Sequence, residues 1–207
     1  MHDMKPMLLP AQKSALAMSR AQYLAKLRDL WEPADKLSIG VCIFQMDVQT
    51  CRPSVLLLRR SLRWHQHPGT WELPGGKVGD GDFCISAAIA RRVEEETGLE
   101  VVKILSMLQE TRHVSEVKFL EWDDDDLDQD TGGTSDSPSV PLRVVRKRNL
   151  QLNFTVLVES TEAAVLVSEQ HDEMVWASFS KVEELRMPGE LRRVAHQALA
   201  WAGEYLF

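Results

Sequence analysis

Long apolar runs are missing from this chain of 207 residues, and none approaches the roughly 20 consecutive apolar residues of a membrane span. The N-terminal stretch from Met1 to Pro10 also lacks the apolar core of a secretion signal. Cysteine is scarce: Cys42, Cys51 and Cys84 make an odd set with no metal-type spacing, which excludes a zinc module and a disulfide framework. These features give the expectation of a cytoplasmic protein in a reducing compartment, with Cys42 and Cys84 in the core and a nuclear or organellar address left open. Positive charge is in deficit. With 24 Lys and Arg against 31 Asp and Glu, a net charge of -7 and a pI near 5.4, the surface does not suit general nucleic-acid or anionic-membrane binding. Small phosphorylated ligands need only a local basic patch and stay open. There is no internal repeat. Gly76-Lys77 lacks the Ser or Thr that a nucleoside-triphosphatase phosphate loop requires next.

What is present suffices for one buried core, since 44% of the residues are hydrophobic. The spacing of Leu24, Leu27 and Leu30 predicts a helix over 14–30 that ends before Pro33, within an N-terminal helical extension spanning 1–35. It packs on the main domain of 36–207 or offers a face to a partner. Leu37 to Phe44 and Val55 to Arg60 read as buried central strands, followed by a basic edge of Arg59, Arg60, Arg63, His65 and His67. That edge is either a solvated rim or a set of phosphate contacts, because Arg engages phosphate oxygens bidentately. Val101 to Leu108 and Val114 to Trp122 have strand character, and the alternating segment 150–158 is the expected hairpin partner of the second. Between them, 123–138 is an acidic stretch expected to be a disordered loop. A strand over 174–179, a helical turn over 181–186 and a closing helix over 190–205 complete the reading.

Chemistry concentrates between Trp71 and Leu99. A Pro74-Gly75-Gly76 turn leads into an Ala/Ile/Glu-rich segment that stops at Gly98. Drawn as a helix, 85–97 places Ile85, Ala88, Ile89 and Val93 on one stripe, with Arg92, Glu95 and Glu96 on and beside its edge and Glu94 in solvent. Carboxylates at the margin of a buried stripe must be paired, protonated or bound to a cation. The simpler reading is a solvated charge run.

Leu73-Pro74-Gly75-Gly76-Lys77, the Arg91-to-Leu99 segment and His171-Asp172-Glu173-Met174-Val175-Trp176 together resemble the Nudix hydrolase family over most of 36–188. Gly76 matches the first Gly of the family's box, Arg91 its Arg, Val93 its apolar position, Glu95 and Glu96 its Glu pair, and Gly98-Leu99 its close. Two positions depart. Arg91 falls one residue late, which fits an insertion in the Gly79-Asp80-Gly81-Asp82 loop, where Asp82 stands nearest to the expected first-half Glu. Arg92 occupies the place of a Glu that usually supplies a metal ligand, three and four residues before Glu95 and Glu96. The resemblance implies an α/β (α+β) fold with a mixed β-sheet sandwiched between α-helices. It implies a metal-dependent hydrolase of a pyrophosphate bond in a nucleoside diphosphate linked to another group. Glu95, Glu96 and Gly76 would hold Mg²⁺ or Mn²⁺, Glu95, Glu96 and Glu173 would be catalytic, and Arg59, Arg60, Arg63, Gly75 and Gly76 would contact the substrate. The alternative is a Nudix-fold binding or regulatory module impaired in catalysis by Arg92. Sequence names neither the individual substrate nor the oligomeric state.

Overall fold

The structure, a computed structural model, describes residues 8–30, 32–63, 67–120, 142–164 and 168–206. The acidic stretch 123–138 and His65 lie outside the described residues. The predicted N-terminal helix is two helices, α1 (Pro10–Leu16) and α2 (Arg20–Asp29). The break comes at Ser19, whose hydroxyl accepts from the Gln22 N–H while Gln22 Oε1 accepts from the Ser19 N–H. This reciprocal cap starts a new helix where apolar spacing alone implies one continuous element. Both helices bury their apolar face (Ala15, Leu16, Tyr23, Leu24 and Leu27) in the same core cluster as the main domain.

Next come β1 (Lys36–Cys42), β2 (Phe44–Asp47), β3 (Arg52–Arg60), β4 (Trp71–Glu72), β5 (Gly75–Lys77) and α3 (Ile85–Thr97). They are followed by β6 (Val101–Met107), β7 (Thr111–Leu120), β8 (Leu142–Val158), β9 (His171–Ala177), α4 (Phe179–Glu184) and α5 (Gly189–Tyr205). Phe179, read from sequence as the end of a strand, instead opens α4. Ser178 ends the strand there, because its hydroxyl accepts from the Lys181 N–H and caps the helix.

Two sheets result. The first runs β5-β1-β8-β6, with β7 also on β8; it is mixed, since β1 and β8 are parallel and the other pairs antiparallel. The second joins β2, β3, β4 and β9, all antiparallel. A β7–β8 hairpin forms, but its arm opposite 114–120 is the basic segment 142–148, with Val114 opposite Arg148 and Leu120 opposite Leu142. The expected partner 150–158 meets β7 only at Leu150 and Gln151 and runs instead between β1 and β6, because β8 is one long strand that begins at Leu142. The chain passes from one sheet to the other at Ile43 and again at Leu73-Pro74, so β4 and β5 belong to different sheets although only two residues separate them. That second crossing opens a cleft between the sheets.

Helix α3 covers the first sheet. Ile85, Ala88, Ile89 and Val93 are fully buried with Leu37, Ile39, Leu150, Leu152 and Phe154, and each larger side chain contributes about 1.5–3 kcal/mol relative to exposure. The start of α3 is fixed by the Ile85 N–H donating to the Met18 carbonyl at 2.9 Å. Its end is fixed by Gly98, which turns left-handed at φ 66° and donates its N–H to the Glu94 carbonyl. Helix α5 covers the second sheet, burying Val194, Ala195, Ala198 and Leu199 against Val55 and Leu57. Among the described residues, no helix is long and apolar enough to cross a membrane.

Candidate active site

The crossing at Leu73-Pro74 brings β5 against the C-terminal half of α3. Gly75 sits so close to β1 that an added Cβ would lie 2.1 Å from the Ile39 carbonyl oxygen, and its φ of 154° is itself unsuited to a side chain. The same packing delivers the Gly75 N–H to Glu96 Oε2 at 2.8 Å. Glu96 is buried, with 6% of its surface exposed, and no described Lys, Arg or His lies within ion-pair distance of it. Burial is the largest influence on its carboxyl and pushes it up to about 7, while the Gly75 N–H and the charges of His171 and Arg92 pull the other way.

Glu96 lines a cavity of about 330 Å³ together with Arg60, Glu72, Gly75, Gly76, Lys77, Arg92, Gln151 and Gln170. A second cavity of about 310 Å³ adjoins it through shared Arg60, Glu72, Gln151 and Leu191, and adds His67, Thr70, Trp71, Thr111, His113 and Glu190. These volumes fall within the range of small-molecule sites. The polar wall between them is built by Arg60, Glu72 and, from β8, Gln151, with Asn153 buried behind it. Gln151 and Asn153 alternate with the buried Leu150, Leu152 and Phe154, and Gln151 Nε2 donates to Asn153 Oδ1 at 2.9 Å. Gly40 on β1 leaves the space these two side chains occupy, since a Cβ there would stand 2.5 Å from Asn153 Oδ1.

Glu72 links three strands of the second sheet. Its Oε1 lies 3.0 Å from His171 Nε2 and 3.2 Å from Arg60 Nε. His171 is buried, and its Nδ1 has no partner among the described residues.

The remaining members of the box do different work. Arg91 closes the Gly79–Asp82 loop onto α3: its Nε and Nη2 each donate to Asp82 at 2.7 Å, and its Nη1 donates to both oxygens of Glu95 at 3.1 and 2.9 Å. Asp82, also accepting from the Gly79 N–H, is held below the usual carboxylate range, chiefly by the Arg91 hydrogen bonds. Glu95 is half-exposed and additionally meets Arg92 at 3.3 Å. The spacing argument pairs Arg92 with both glutamates; the structure pairs it with Glu95 alone, because Glu96 turns inward to Gly75.

The structure therefore gathers Arg60, Gly75, Gly76 and Glu96 into one cleft. It does not gather Arg59, Arg63, Glu95 or Glu173 there. Arg59 points to the other face of β3, 5.9 Å over the Trp71 ring, and holds Asp172 at 2.7 Å and Glu173 at 2.6 Å. Arg63 is exposed beyond the end of β3. Sequence reasoning did not select Glu72, His171 or Gln151 as site residues; the signal available for Glu72 was its place two residues before Pro74, where the chain changes sheets.

Among the described residues, no three His, Cys, Asp or Glu side chains cluster as a metal cage. The donors nevertheless suit a hard cation bound partly through substrate: Glu96 is a buried carboxylate with no cation at ion-pair distance among the described residues, and the Gly75-Gly76 backbone lies beside it. Mg²⁺ typically takes one or two carboxylates and completes its shell with phosphates and water.

The profile of the NUDIX domain matches residues 35–201. Over 63 residues, the chain is 36% identical to the uncharacterized Nudix hydrolase NudL of Citrobacter koseri, a match covering 30% of this chain and 33% of that protein. The chain thus spans a third of the length of the curated relatives it matches. The fold superposes on the NUDIX domain of Shewanella oneidensis NrtR complexed with ADP ribose, with a TM-score of 0.53, 20% identity, and 87% of this chain and 97% of that one covered. It also superposes on a C. elegans Ap4A hydrolase, with a TM-score of 0.51, 16% identity, and 82% and 99% covered. At such identities these structures establish the fold. From the box on α3, the two-sheet architecture and the match over 35–201, the chain belongs to the NUDIX domain family.

Proposed function

We propose that this protein is a divalent-metal-dependent hydrolase that cleaves the pyrophosphate bond of a nucleoside diphosphate linked to another group. The observation that supports it most is Glu96: a buried carboxylate lining a cavity of about 330 Å³, with one backbone donor and no cation at ion-pair distance among the described residues. Such a group calls for a cation. Glu96 and the Gly76 backbone would hold Mg²⁺ or Mn²⁺, with Glu95 joining if it exchanges its contact with Arg92. The ion supplies charge neutralisation at the pyrophosphate and a water of lowered pKa. Arg60 and the Gly75-Gly76 turn face the phosphates, and the adjoining cavity between Trp71, His67 and His113 accepts the organic part of the substrate.

Glu72 is assigned the orientation of the attacking water, because it opens onto both cavities and His171 holds its carboxylate. Glu173, favoured by sequence, is engaged by Arg59 instead. A binding module without catalysis is the second reading, favoured by the contact of Arg92 with Glu95. The test is product analysis with ADP-ribose, diadenosine tetraphosphate and other nucleotide-diphosphate compounds in Mg²⁺, Mn²⁺ or EDTA. Metal-dependent appearance of two phosphate-bearing products from at least one compound is expected. Tight binding without turnover in either metal would favour the module.

A further inference from the structure

Arg92 is the member of the helix that the family pattern does not explain. Its guanidinium lies directly over Gly76: a Cβ at that glycine would stand 3.3 Å from both Cζ and Nε. The guanidinium therefore rests on bare backbone at the wall of the cavity that it lines with Glu96, Lys77 and Arg60. Its protein contacts are loose. Nε and Nη2 reach the Lys77 carbonyl at 3.4 and 3.3 Å, and Nη1 reaches Glu95 at 3.3 Å. These exceed the usual 2.7–3.2 Å range of N–H···O bonds. Arg91, one residue earlier, makes bonds of 2.7–3.1 Å to Asp82 and Glu95 and already fastens the loop to the helix. A second staple is not needed. A guanidinium carries five N–H groups; those three bonds leave one on Nη1 and one on Nη2 without a described partner. Among the described residues of the cavity wall Arg60 is matched by Glu72, which leaves Lys77 and Arg92 with the one remaining wall carboxylate, Glu96, while Glu95 reaches Arg92 only from outside the wall at 3.3 Å. The wall thus has an excess of positive charge before any metal arrives.

We propose that Arg92 is a phosphate clamp: its free fork engages two oxygens of the substrate's diphosphate, so that the protein holds a nucleoside diphosphate without metal. The carboxylate lost at this position takes a metal ligand away, and the guanidinium supplies part of the neutralising charge from the protein itself. This inference rests on the hydrolase reading of the cleft, but the two fail separately. Metal-dependent cleavage tests the reaction; metal-free binding tests Arg92.

The experiment is calorimetric titration of ADP, with adenosine as control, into wild type, Arg92→Gln and Arg92→Lys in excess EDTA. Wild type is expected to bind ADP. Arg92→Gln should weaken that binding at least about tenfold, as loss of a charged hydrogen-bonding partner does. Arg92→Lys, which keeps charge and stem but not the fork, should weaken it about threefold to tenfold and keeps the test readable if the Gln variant does not fold. Adenosine affinity should not change. Absence of ADP binding by wild type in EDTA, equal ADP affinity in all three proteins, or a parallel loss for adenosine would each overturn the assignment.

Discussion

Two patches of this molecule are built from the same residue types and behave differently. On the outer face of β3 and β9, Arg59 is joined to Asp172 and Glu173 at 2.7 and 2.6 Å, all three partly open to solvent. One residue along, Arg60 turns inward to a cleft that also holds Glu72, Arg92 and Glu96. On the rim, opposite charges satisfy one another. In the cleft, among the described residues, Glu96 is buried with a single N–H donor, and Arg92 keeps part of its guanidinium uncommitted. The presence of Arg and Glu therefore says little about a site; charges left incompletely paired under burial say much more.

The sharpest way to break this comparison is to remove one carboxylate from each patch. Glu96→Gln is expected to lower metal-dependent kcat/KM on the order of 100-fold or more, whereas Glu173→Gln should change it less than about threefold. The reverse order would place the reaction on the rim. A smaller effect separates catalysis from simple binding. Arg92→Glu replaces a cation beside Glu95 by an anion, and each close charge interaction is worth a few kcal/mol at an effective dielectric near 20. Calorimetry should show at least about a tenfold gain in Mn²⁺ affinity. Equal affinity would mean that Arg92 does not oppose metal binding.

Much of the fold was legible in the chain. The apolar stripe of α3 and its Gly98 stop predict the helix of 85–97 that is observed, because periodicity and a left-handed terminator are local properties. Alternation points to a hairpin after β7 but to the wrong arm, 150–158, since the register is set by the basic segment 142–148 that extends the same strand. Within the site, sequence led to Gly75, Gly76, Glu95 and Glu96 as a group but did not distinguish Arg59 from Arg60. Strand alternation puts neighbours on opposite faces, and which face meets the cleft depends on the second sheet. Glu72 escaped notice because its importance arises from the sheet crossing after it. Alternation along β8 does not tell that its polar side chains Asn153 and Thr155 are fully buried, which they are because the second sheet covers that face.

A stability effect sharpens the contrast further. With the Glu96 carboxyl raised from 4.5 to about 7, the folded protein keeps a proton between those values that the unfolded chain has lost. Stability therefore falls as pH rises through this window and levels off above it. In metal-free buffer, Glu96→Gln, which stays neutral, should melt about 3–8 °C above wild type near pH 8. The gap should close toward pH 4.5, and a constant gap would show that Glu96 does not carry the effect. The rim should give the smallest response. Arg59→Met keeps an apolar stem over Trp71 and should cost no more than about 1 kcal/mol in denaturant unfolding, as exposed ion pairs do. A larger loss would make the rim a structural centre.

The most direct measurement is Mn²⁺ binding followed by the loss of the free-ion signal in electron paramagnetic resonance, comparing wild type, Glu96→Gln and Glu173→Gln. If the cleft is the metal site, wild type and Glu173→Gln bind Mn²⁺ alike, and Glu96→Gln binds at least about tenfold more weakly. Unchanged Mn²⁺ affinity in Glu96→Gln, or its loss in Glu173→Gln, would contradict a metal centre built on Glu96.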